Sequence, residues 1–536
     1  MDSAYTRPMS WPIRLRAGVL VARANLSPFE RPDRVSRSML TALAWGTSLP
    51  GVVAASAVRQ PNRIAIEDES GAVTYRALWD RARRVATGLI DGGVGPGTGI
   101  GLLCRNHIGF VEWLIAAVAT GADVVLLNTG FAGPQLADVV AHEGIRFVIH
   151  DNEFTDVVAT CGVTTFDESA MATLATTPHK TAPRRSLGRM VILTSGTTGR
   201  PKGAGRRSDP GAVEGVAALV ERVPYRFGDT QVIAAPLFHG WGLTNLLLGL
   251  GRCSTTVVAR RFEPEATLRS VSSTKANVFV VVPVMLNRIL ALAPDVLLDA
   301  ATPKLRVIAS SGSALGPKLA SDVLNRFGPV LYNIYGSTEV AVATIASPGD
   351  LRNAPSTAGK PAFGVRVEVL DAQGEPVPDG SVGRIFVGGA MKFDGYTDGA
   401  TKERQHGLIS TGDLGSFRNG LLFVDGREDD MIVSGGENVF PAEVEDLLAH
   451  HRNIAEVAVV GVPDEQFGQA LAAFVVVRAG AALDEDAVKA HVRTQLARHK
   501  VPRHVEFMDM LPRNPTGKVL RRVLVDRYAA TTVSST

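Results

Sequence analysis

A loop rich in hydroxyl groups and glycine follows the apolar run from Met190 to Leu193. Glycine lets the backbone approach a ligand closely, and side-chain hydroxyls and main-chain N–H groups can donate to phosphate oxygens. The usual P-loop has glycine directly before its lysine, whereas Pro201 stands in that place here. The loop is interpreted as a polyphosphate cradle, with a flexible surface loop as the alternative. Its candidate ligand-binding residues are Thr194, Ser195, Gly196, Thr197, Thr198, Gly199 and Lys202.

A second segment with chemical potential runs from Tyr332 to Glu339, after another apolar run. Tyr335 can stack on a flat base, and Thr338 and Glu339 offer oxygens to a hard cation. Mg²⁺ prefers one or two such protein ligands together with substrate phosphates. Taken alone, the segment is more typical of a strand-to-helix turn that places Glu339 in the first helical turn.

Three later positions complete the set of polar candidates. Asp413 ends a Ser-Thr-Gly-Asp stretch and could accept hydrogen bonds from ribose hydroxyls, although an Asx-turn is the commoner reason for an aspartate there. Arg427 precedes a run of acidic residues and a Gly-Gly turn. Lys518 stands on a turn near the C-terminus, where a lone lysine is usually just solvated.

The order and spacing of these five motifs are much more specific than any one of them. From about residue 50 to about residue 525 the chain resembles the superfamily of adenylate-forming enzymes: acyl-CoA synthetases, beetle luciferases and the adenylation domains of peptide synthetases. Among these it most resembles a bacterial fatty acyl-CoA ligase. The resemblance implies two half-reactions that use ATP, Mg²⁺ and CoA. A carboxylate attacks the α-phosphate of ATP and releases pyrophosphate, and a thiol then attacks the acyl-adenylate and releases AMP.

The resemblance also implies a role for each motif. The loop from Thr194 to Lys202 would hold the β- and γ-phosphates, and Lys518 would bridge the carboxylate and the α-phosphate. His239 would lie near the carboxylate or gate the acyl tunnel, although a histidine beside Phe and Trp is more often a core residue. Glu339 would bind Mg²⁺, Thr338 would bind the α-phosphate, and Asp413 and Arg427 would hold the ribose. Asp429 would be the hinge of the lid. The adenine would be bound by Tyr335 with Gly312, Ser313, Asn333 and Gly336, and the thiol tunnel would be lined by Ser434, Gly435 and Gly436.

Hydrophobic periodicity predicts an α/β fold. Short apolar strands alternate with helices after residue 50, which predicts a large N-terminal domain of parallel sheets flanked by helices. After about residue 360, strands separated by Gly, Asp and Pro turns predict a small β-barrel portion. A compact αβ segment follows and is predicted to be a small mobile α+β lid. The expected boundaries are an extension (1–48), an AMP-binding domain (49–428), the lid (429–525) and a tail (526–536).

Composition excludes several classes of protein. The chain has 536 residues with 56 Lys and Arg against 53 Asp and Glu, so it lacks the strong basic excess of a nucleic-acid binder. Its three cysteines lie far apart and favour neither a disulfide framework nor a zinc site. Arginines interrupt the early apolar residues, which argues against a signal peptide. A cytoplasmic enzyme is expected, with no prediction of its oligomeric state.

The N-terminal segment leaves two alternatives open. Residues from Trp11 to Leu26 mix apolar side chains with three arginines and could form an amphipathic helix on a membrane, although packing on the protein's own surface is favoured. The uncharged window from Met39 to Val58 is long enough to cross a membrane as a helix, but its polar residues, glycines and proline argue against a membrane span. Peripheral membrane contact through the N-terminus is therefore kept as a possibility.

The acid is expected to be a medium- or long-chain fatty acid. Its pocket wall is predicted from Trp241 to Leu250, from Pro283 to Arg288 and from Ser311 to Leu315, which are largely apolar and carry no acidic anchor for an amino group. The chain departs from the family pattern in two places that bear on the identity of the acid. Family members often carry an aromatic residue just before the Thr-Gly-Asp motif, where this chain has Leu408, Ile409 and Ser410. The second departure is the run Gly-Ala-Gly-Arg-Arg after Lys202. The alternatives are a carrier-protein acceptor, a non-fatty carboxylate such as an aryl acid, and a lipid-binding scaffold with a dead site.

Overall fold

The computed structural model describes residues 11–27, 30–46, 48–178, 188–194, 202–206, 212–299, 302–389, 395–434, 437–464, 468–515 and 517–533. Helices and strands alternate through the first two thirds of the chain, as the sequence predicts. The helices are α1 (Trp11–Asn25), α2 (Pro32–Trp45), α3 (Leu49–Arg59), α4 (Tyr75–Asp91), α5 (Ile108–Thr120), α6 (Gly133–His142), α7 (Thr155–Ala159), α8 (Glu168–Leu174), α9 (Ala212–Val220), α10 (Gly240–Gly251), α11 (Pro264–Ser273), α12 (Pro283–Leu290), α13 (Pro294–Asp299), α14 (Pro317–Phe327), α15 (Pro348–Asn353), α16 (Pro441–Ala449), α17 (Glu485–Gln495) and α18 (Arg521–Val533).

The strands form three sheets. They are β1 (Ile64–Asp68), β2 (Gly71–Thr74), β3 (Gly99–Leu103), β4 (Asp123–Leu126), β5 (Ile145–His150), β6 (Thr164–Phe166), β7 (Met190–Thr194), β8 (Lys202–Arg206), β9 (Thr230–Ile233), β10 (Thr255–Val258), β11 (Val278–Val281), β12 (Val307–Ser310), β13 (Leu331–Tyr335), β14 (Thr344–Ala346), β15 (Thr357–Pro361), β16 (Arg366–Leu370), β17 (Gly383–Gly388), β18 (Arg404–Gln405), β19 (Leu408–Arg418), β20 (Leu421–Arg427), β21 (Ile432–Ser434), β22 (Glu437–Val439), β23 (Ile454–Asp464), β24 (Gly468–Val477) and β25 (His504–Phe507).

Two sheets with parallel cores form the larger part of the molecule. In the first, β1, β10, β9, β11, β12 and β13 lie side by side and pair in parallel. In the second, β6, β5, β3, β4 and β7 do the same, and β8 adds an antiparallel edge. Helices cover these strands, and α5 is buried along almost its whole length. The predicted parallel sheets flanked by helices are confirmed.

The antiparallel portion predicted after residue 360 is also confirmed. Strands β15 to β20 pair antiparallel and continue the first sheet through β14. A separate sheet of β21 to β25 follows, packed with α16, α17 and α18, and forms the smaller α+β part of the fold. The change from parallel to antiparallel strands therefore occurs near the point in the sequence where Gly, Asp and Pro turns begin to separate the strands.

Local signals place most elements closely. Thr74 caps α4 by accepting a hydrogen bond from the N–H of Ala77 (3.3 Å), the role that a threonine directly before a helix commonly has. The apolar run from Leu305 to Ala309 indicates a strand, and β12 begins two residues into it, at Val307, because the N–H of Leu305 donates to the carbonyl of Thr302 and closes the preceding turn. Such shifts are usual at element ends.

The N-terminal segment forms three helices rather than one long apolar helix. The uncharged window from Met39 to Val58 is divided between α2 and α3, and Ser48 caps α3 by accepting a hydrogen bond from the N–H of Gly51 (3.2 Å). No helix in the described part of the chain is both long and apolar enough to cross a bilayer. The first helix, α1, packs against α9, and its residues Ala17 and Ala24 are buried, so the favoured alternative of packing on the protein's own surface is confirmed for the buried side of the helix.

Candidate active site

One continuous cavity of about 4300 Å³ lies at the carboxyl ends of the parallel strands. Segments that follow β9, β11, β12 and β13 line it, because parallel strands bring their carboxyl ends to one edge of a sheet. Residues of the antiparallel portion and of the C-terminal part close its other sides. The cavity is therefore where most of the elements that carry the sequence motifs meet.

Asp413 lies at the centre of a buried polar cluster. Its carboxylate accepts a hydrogen bond from the hydroxyl of Tyr335 (2.5 Å) and lies 3.5 Å from the guanidinium of Arg427. Burial raises the pKa of Asp413, although Tyr335 and Arg427 oppose that effect. The residue lies in β19, paired with Arg427 of β20, so an Asx-turn is not the reason for this aspartate.

Glu339 is held by two hydroxyl donors. Tyr396 donates to one carboxylate oxygen (2.5 Å) and Ser337 to the other (2.7 Å). Burial raises the pKa of Glu339, but these two hydrogen bonds, a backbone hydrogen bond and the charge of Lys402 together lower it below its usual value. A turn and then β14 follow the residue, so the alternative of a first helical turn is wrong. The result is an ionised carboxylate at the cavity wall, and each oxygen keeps a further lone pair for a cation.

The turn that carries Glu339 is tightly folded. A Cβ at Gly336 would lie 1.9 Å from the carbonyl oxygen of Ala341, so only glycine fits there. Ala341 itself has a φ of 60°, in the left-handed region that non-glycine residues seldom occupy. This close return of the chain places Thr338 and Glu339 at the cavity wall.

Lys202 lies at the base of the hydroxyl-rich loop. Its backbone pairs with that of Thr194 across the β7–β8 hairpin, and its amine lies 3.2 Å from the carboxylate of Asp398. The predicted loop residues between them, Ser195, Gly196, Thr197, Thr198 and Gly199, lie outside the described residues. Lys202 lines the cavity, so a bound polyphosphate could exchange with Asp398 as the partner of its amine.

Lys518 enters the same cavity from the C-terminal part of the chain. Its loop is seated on the larger part of the molecule: a Cβ at Gly130 would meet Pro515 at 2.5 Å, and a Cβ at Gly517 would meet Val284 at 2.3 Å. The backbone N–H of Lys518 donates to the side chain of Asn514 (2.9 Å), which fixes the turn. Lys518 is near the C-terminus in sequence, but the fold places it beside the other site residues.

The charges around Lys518 are mixed. Burial lowers the pKa of its amine, Arg427 lowers it further, and Asp413 and Glu339 oppose both effects. The same amine also lowers the pKa of His239. Lys518 therefore lies within electrostatic reach of the residues predicted for ribose, metal and carboxylate.

Gly517→Ala is expected to lower the rate of adenylation about tenfold. The new methyl group would collide with Val284, and the φ of 83° costs an L-residue roughly 1–2 kcal/mol. Pyrophosphate release under single-turnover conditions measures the effect. Gly480→Ala is the matched control, since its φ is 76° but its Cβ would meet nothing within 4 Å. Adding Val284→Ala should restore part of the rate. No difference between the two glycine variants would contradict the expected collision.

His239 is a neutral imidazole beside Lys518. Burial lowers its pKa to about 3, with Lys518 contributing, and its Nε2 accepts or donates no hydrogen bond among the described residues. The residue precedes α10 and lines the cavity. A neutral, unpaired ring nitrogen at this place can donate a hydrogen bond to a carboxylate without adding charge.

The KM for the acid is expected to show no histidine titration between about pH 6 and pH 8, because a group with a pKa near 3 is already neutral there. His239→Gln should keep much of the affinity, since an amide can also donate, whereas His239→Ala should raise the KM several-fold. Initial rates across the pH range for the three proteins give the comparison. An inflection near pH 6.5 that disappears in the glutamine variant would contradict a neutral imidazole.

The structure brings together most, though not all, of the predicted site. The cavity is also lined by Gly312, Ser313, Asn333 and Asp429. Ser434 is buried in β21 and does not line the cavity, and Gly435 and Gly436 lie outside the described residues. The arrangement therefore places Lys518, and not the predicted thiol-tunnel serine, at the site.

One predicted wall segment is wrong. From Pro283 to Arg288 the chain forms α12, which turns Met285 and Leu286 into the core and places Val284 against Gly517. Val282 lines the cavity, whereas α12 supports the Lys518 loop. The reason is that one apolar stripe on a helix can face a core or a pocket, and spacing does not distinguish the two.

Several site residues carry no signal in the sequence. Tyr396 and Ser337 bind Glu339, and Asp398 binds Lys202, but each is an ordinary turn residue in sequence. Thr397 anchors this turn by donating from its N–H to the carbonyl of Gly203 (2.8 Å). On the far side, α9 and the N-terminal helices also border the cavity.

Comparison with known proteins agrees with this geometry. The profile of the AMP-binding enzyme family matches residues 53–397, and that of the AMP-binding enzyme C-terminal domain matches residues 443–518. The chain is 33% identical over 478 residues to a feruloyl-CoA synthase of Amycolatopsis sp, covering 87% of this chain and 96% of the relative. It is 31% identical over 526 residues to the fatty acid–[acyl-carrier-protein] ligase ScoC of Streptomyces coeruleorubidus, covering 92% and 98%.

A solved structure has the same architecture. ATP-bound MatB from Rhodopseudomonas palustris superposes with a TM-score of 0.80 at 28% identity, covering 90% of this chain and 99% of that one. The family profiles cover more than half of this chain, and the sites predicted from its motifs meet in one cavity. The chain therefore belongs to the AMP-binding enzyme family, the adenylate-forming enzymes that activate carboxylic acids with ATP.

Proposed function

We propose that this protein is an AMP-forming acid–CoA ligase whose acid is a medium- or long-chain fatty acid. A carboxylate oxygen attacks the α-phosphorus of ATP, the bond to the β-phosphate oxygen breaks, and pyrophosphate leaves. The CoA sulfur then attacks the acyl carbonyl carbon, the thiol gives up its proton, and AMP leaves with the bonding electron pair. The observation that carries the proposal is a single cavity that joins the charged cluster around Lys518 to a long apolar wall.

The apolar wall supports a fatty acid. Besides His239, the cavity is lined by residues of α10, of α9 and of the N-terminal helices. Aliphatic side chains dominate this stretch, and an extended alkyl chain gains about 0.8 kcal/mol for each methylene that it buries there. The side chains concerned are Val216, Leu219, Trp241, Leu243, Leu247 and Leu248, with Val21, Met39 and Leu43 at the far end.

The charged end supports adenylation. Lys518 can neutralise charge that grows on the α-phosphate and the attacking carboxylate, and such positioned charges are worth most in the transition state. Glu339 fits a Mg²⁺ ion, because it is an ionised carboxylate on the cavity wall that its two donors hold in place. Mg²⁺, when bound, would neutralise phosphate charge. Tyr335, Asp413 and Arg427 would hold the nucleoside.

The position of Lys518 also supports a lid motion between the half-reactions. Lys518 occupies the cavity where a thiol would have to arrive, and Ser434 lies elsewhere. A rotation about the segment between β20 and β21, which contains Asp429, would exchange the two. Gating of this kind lets one site perform two incompatible steps.

A second candidate acid is an aryl carboxylate that carries a hydroxyl group. Glu214 of α9 lines the cavity and is only 8% exposed, and its Oε2 accepts no hydrogen bond from any described residue. Its Oε1 lies 3.6 Å from Arg14. A buried acceptor without a donor is costly, and a substrate hydroxyl would satisfy it. The similarity to a feruloyl-CoA synthase favours the same candidate.

Product analysis separates these candidates. The protein is incubated with ATP, Mg²⁺ and CoA, and with saturated acids of graded length or hydroxylated aryl acids. The fatty acid proposal would be supported by two results: AMP, pyrophosphate and acyl-CoA form in equal amounts, and kcat/KM rises with the length of the fatty acid. A preference for hydroxylated aryl acids that Glu214→Gln abolishes would establish the second candidate instead.

The acceptor is tested in the same assay. If acyl-adenylate accumulates on the enzyme in the presence of CoA and is discharged by an acyl carrier protein, the carrier protein would replace CoA as the proposed acceptor. No pyrophosphate with any acid in either series would contradict both proposed substrates.

A further inference from the structure

Exposed large hydrophobic side chains are concentrated near the N-terminus. Among the described residues, half of them belong to α1, to α2 and to the residue after α1. They are Ile13, Leu15, Val19, Leu26, Met39, Leu40 and Leu43, seven of the fourteen. Single exposed apolar side chains are ordinary, but a cluster in one short segment marks an interaction surface.

Three of the four exposed large apolar residues in and just after α1 form a stripe along one side of the helix, together with the partly exposed Ala22. Leu15, Val19, Ala22 and Leu26 follow the i, i+4, i+7, i+11 spacing of a helical face, and the N–H of Leu26 still donates to the carbonyl of Ala22 (2.8 Å). We call these four residues the α1 stripe. Ala17 and Ala24, on the opposite side, are buried. The stripe is thus a second apolar face, separate from the buried one that contains Ala17 and Ala24.

On α2 three neighbouring residues form a similar face, here called the α2 stripe. Met39, Leu40 and Leu43 are 57%, 67% and 80% exposed, although Ser38 and Trp45 on the other side of the helix are buried. Met39 and Leu43 also border the far end of the cavity. The α2 stripe therefore lies where the apolar wall of the cavity reaches the surface.

Positive charge accompanies both stripes. The segment from residue 11 to residue 46 contains six arginines and two acidic residues, although the whole chain is nearly balanced. Arg16 and Arg23 each follow a residue of the α1 stripe and are exposed, and Arg37 is exposed beside the α2 stripe. Exposed aliphatic side chains next to arginines are the signature of a helix that lies in a lipid interface.

We propose that α1 and α2 dock this protein on an anionic lipid surface through the α1 and α2 stripes. The aliphatic side chains would enter the headgroup boundary, and the arginines would pair with lipid phosphates. The far end of the cavity would then face the lipid, which is where an apolar acid dissolves. Docking itself does not depend on the proposed function, because it is measured by binding rather than by turnover.

Flotation of the full chain with vesicles tests the proposal. Vesicles of phosphatidylcholine alone are compared with vesicles in which about a third of the lipid is phosphatidylglycerol. The protein should float with the anionic vesicles, and binding should weaken as ionic strength rises from about 0.05 M to about 0.5 M. Leu15→Asp combined with Leu40→Asp, one residue from each stripe and neither on the cavity wall, should reduce the bound fraction at least about tenfold. Arg23→Glu combined with Arg37→Glu should abolish the preference for anionic lipid.

Met510→Asp is the matched control, because Met510 is 75% exposed and lies far from these helices in sequence. It should bind vesicles as the unmodified chain does. All variants should keep the thermal midpoint and the turnover of a short, water-soluble acid, since the altered side chains are exposed. The arginine pair provides an independent test if the aspartate pair does not fold.

Three results would overturn the proposal. The unmodified chain could fail to float with anionic vesicles, or the aspartate pair could float as well as the unmodified chain. The third is a dimer in sedimentation that the aspartate pair dissociates, which would mean that a second copy of this chain covers the stripes. Each of these results leaves the ligase activity itself untouched, so it can be told apart from failure of the proposed function.

Discussion

Lys518→Ala is expected to lower the rate of acyl-adenylate formation by about 10²- to 10³-fold, the usual cost of removing one positioned charge from a transition state. Lys518 lies within electrostatic reach of Asp413 and Glu339, and its loop is seated against Val284. The thiol step should be spared, because the proposed rotation removes this lysine before CoA arrives. Pyrophosphate release measures the first step, and conversion of a synthetic acyl-adenylate to acyl-CoA measures the second.

Lys489→Ala is the control for this experiment. Lys489 belongs to the same part of the chain but pairs with Glu485 on the surface of α17 (2.6 Å). Its loss should change neither step, since exposed ion pairs contribute little. An equal loss of both steps in Lys518→Ala would contradict a role confined to adenylation.

Glu339→Gln is expected to lower adenylation about 100-fold and to raise the Mg²⁺ concentration needed for half-maximal rate. The amide keeps the size of the side chain but removes the negative charge that would hold the metal. Titration of Mg²⁺ at saturating ATP, with pyrophosphate release as the readout, separates the loss of metal affinity from the loss of rate. A normal Mg²⁺ requirement in the variant would exclude Glu339 as a metal ligand.

The pH dependence of this site has a definite sign. Because the pKa of Glu339 is lowered, the carboxylate stays ionised at neutral pH and is lost only as pH falls through that lowered value. Tyr396→Phe removes one of the two donors that lower the pKa, so the acid limb of its rate profile should move to higher pH. The loss of rate at neutral pH should be far smaller than in Glu339→Gln. An unchanged acid limb would show that another group controls it.

The lid and the nucleotide cluster are coupled in this structure. Gly517 and Pro515 contact the larger part of the molecule, and Arg427 contacts both Asp413 and Asp429. Binding of a nucleoside at Asp413 would therefore act on the same arginine that borders the proposed hinge. This arrangement offers a direct route by which the nucleotide could favour one position of the lid.

Local sequence was sufficient to determine the elements of the fold. Alternating apolar strands and helices predicted the parallel sheets, and the capping residue Thr74 marks the start of α4 at Tyr75. Polar motifs also identified Asp413, Glu339, Lys202 and Lys518 as candidates before any contact was known. These signals are local because strand and helix periods, caps and turns depend on neighbours only a few residues away.

Only the tertiary structure decided which of these residues meet and what surrounds them. Tyr396 beside Glu339 and Asp398 beside Lys202 are pairings between distant turns, which no local pattern encodes. The α12 segment was expected to line the acid pocket but supports Gly517, because a helix period shows that a face is buried and not what buries it. For the same reason, the sequence predicted α1 as a helix, whereas only packing assigned one face to α9 and left the α1 stripe exposed.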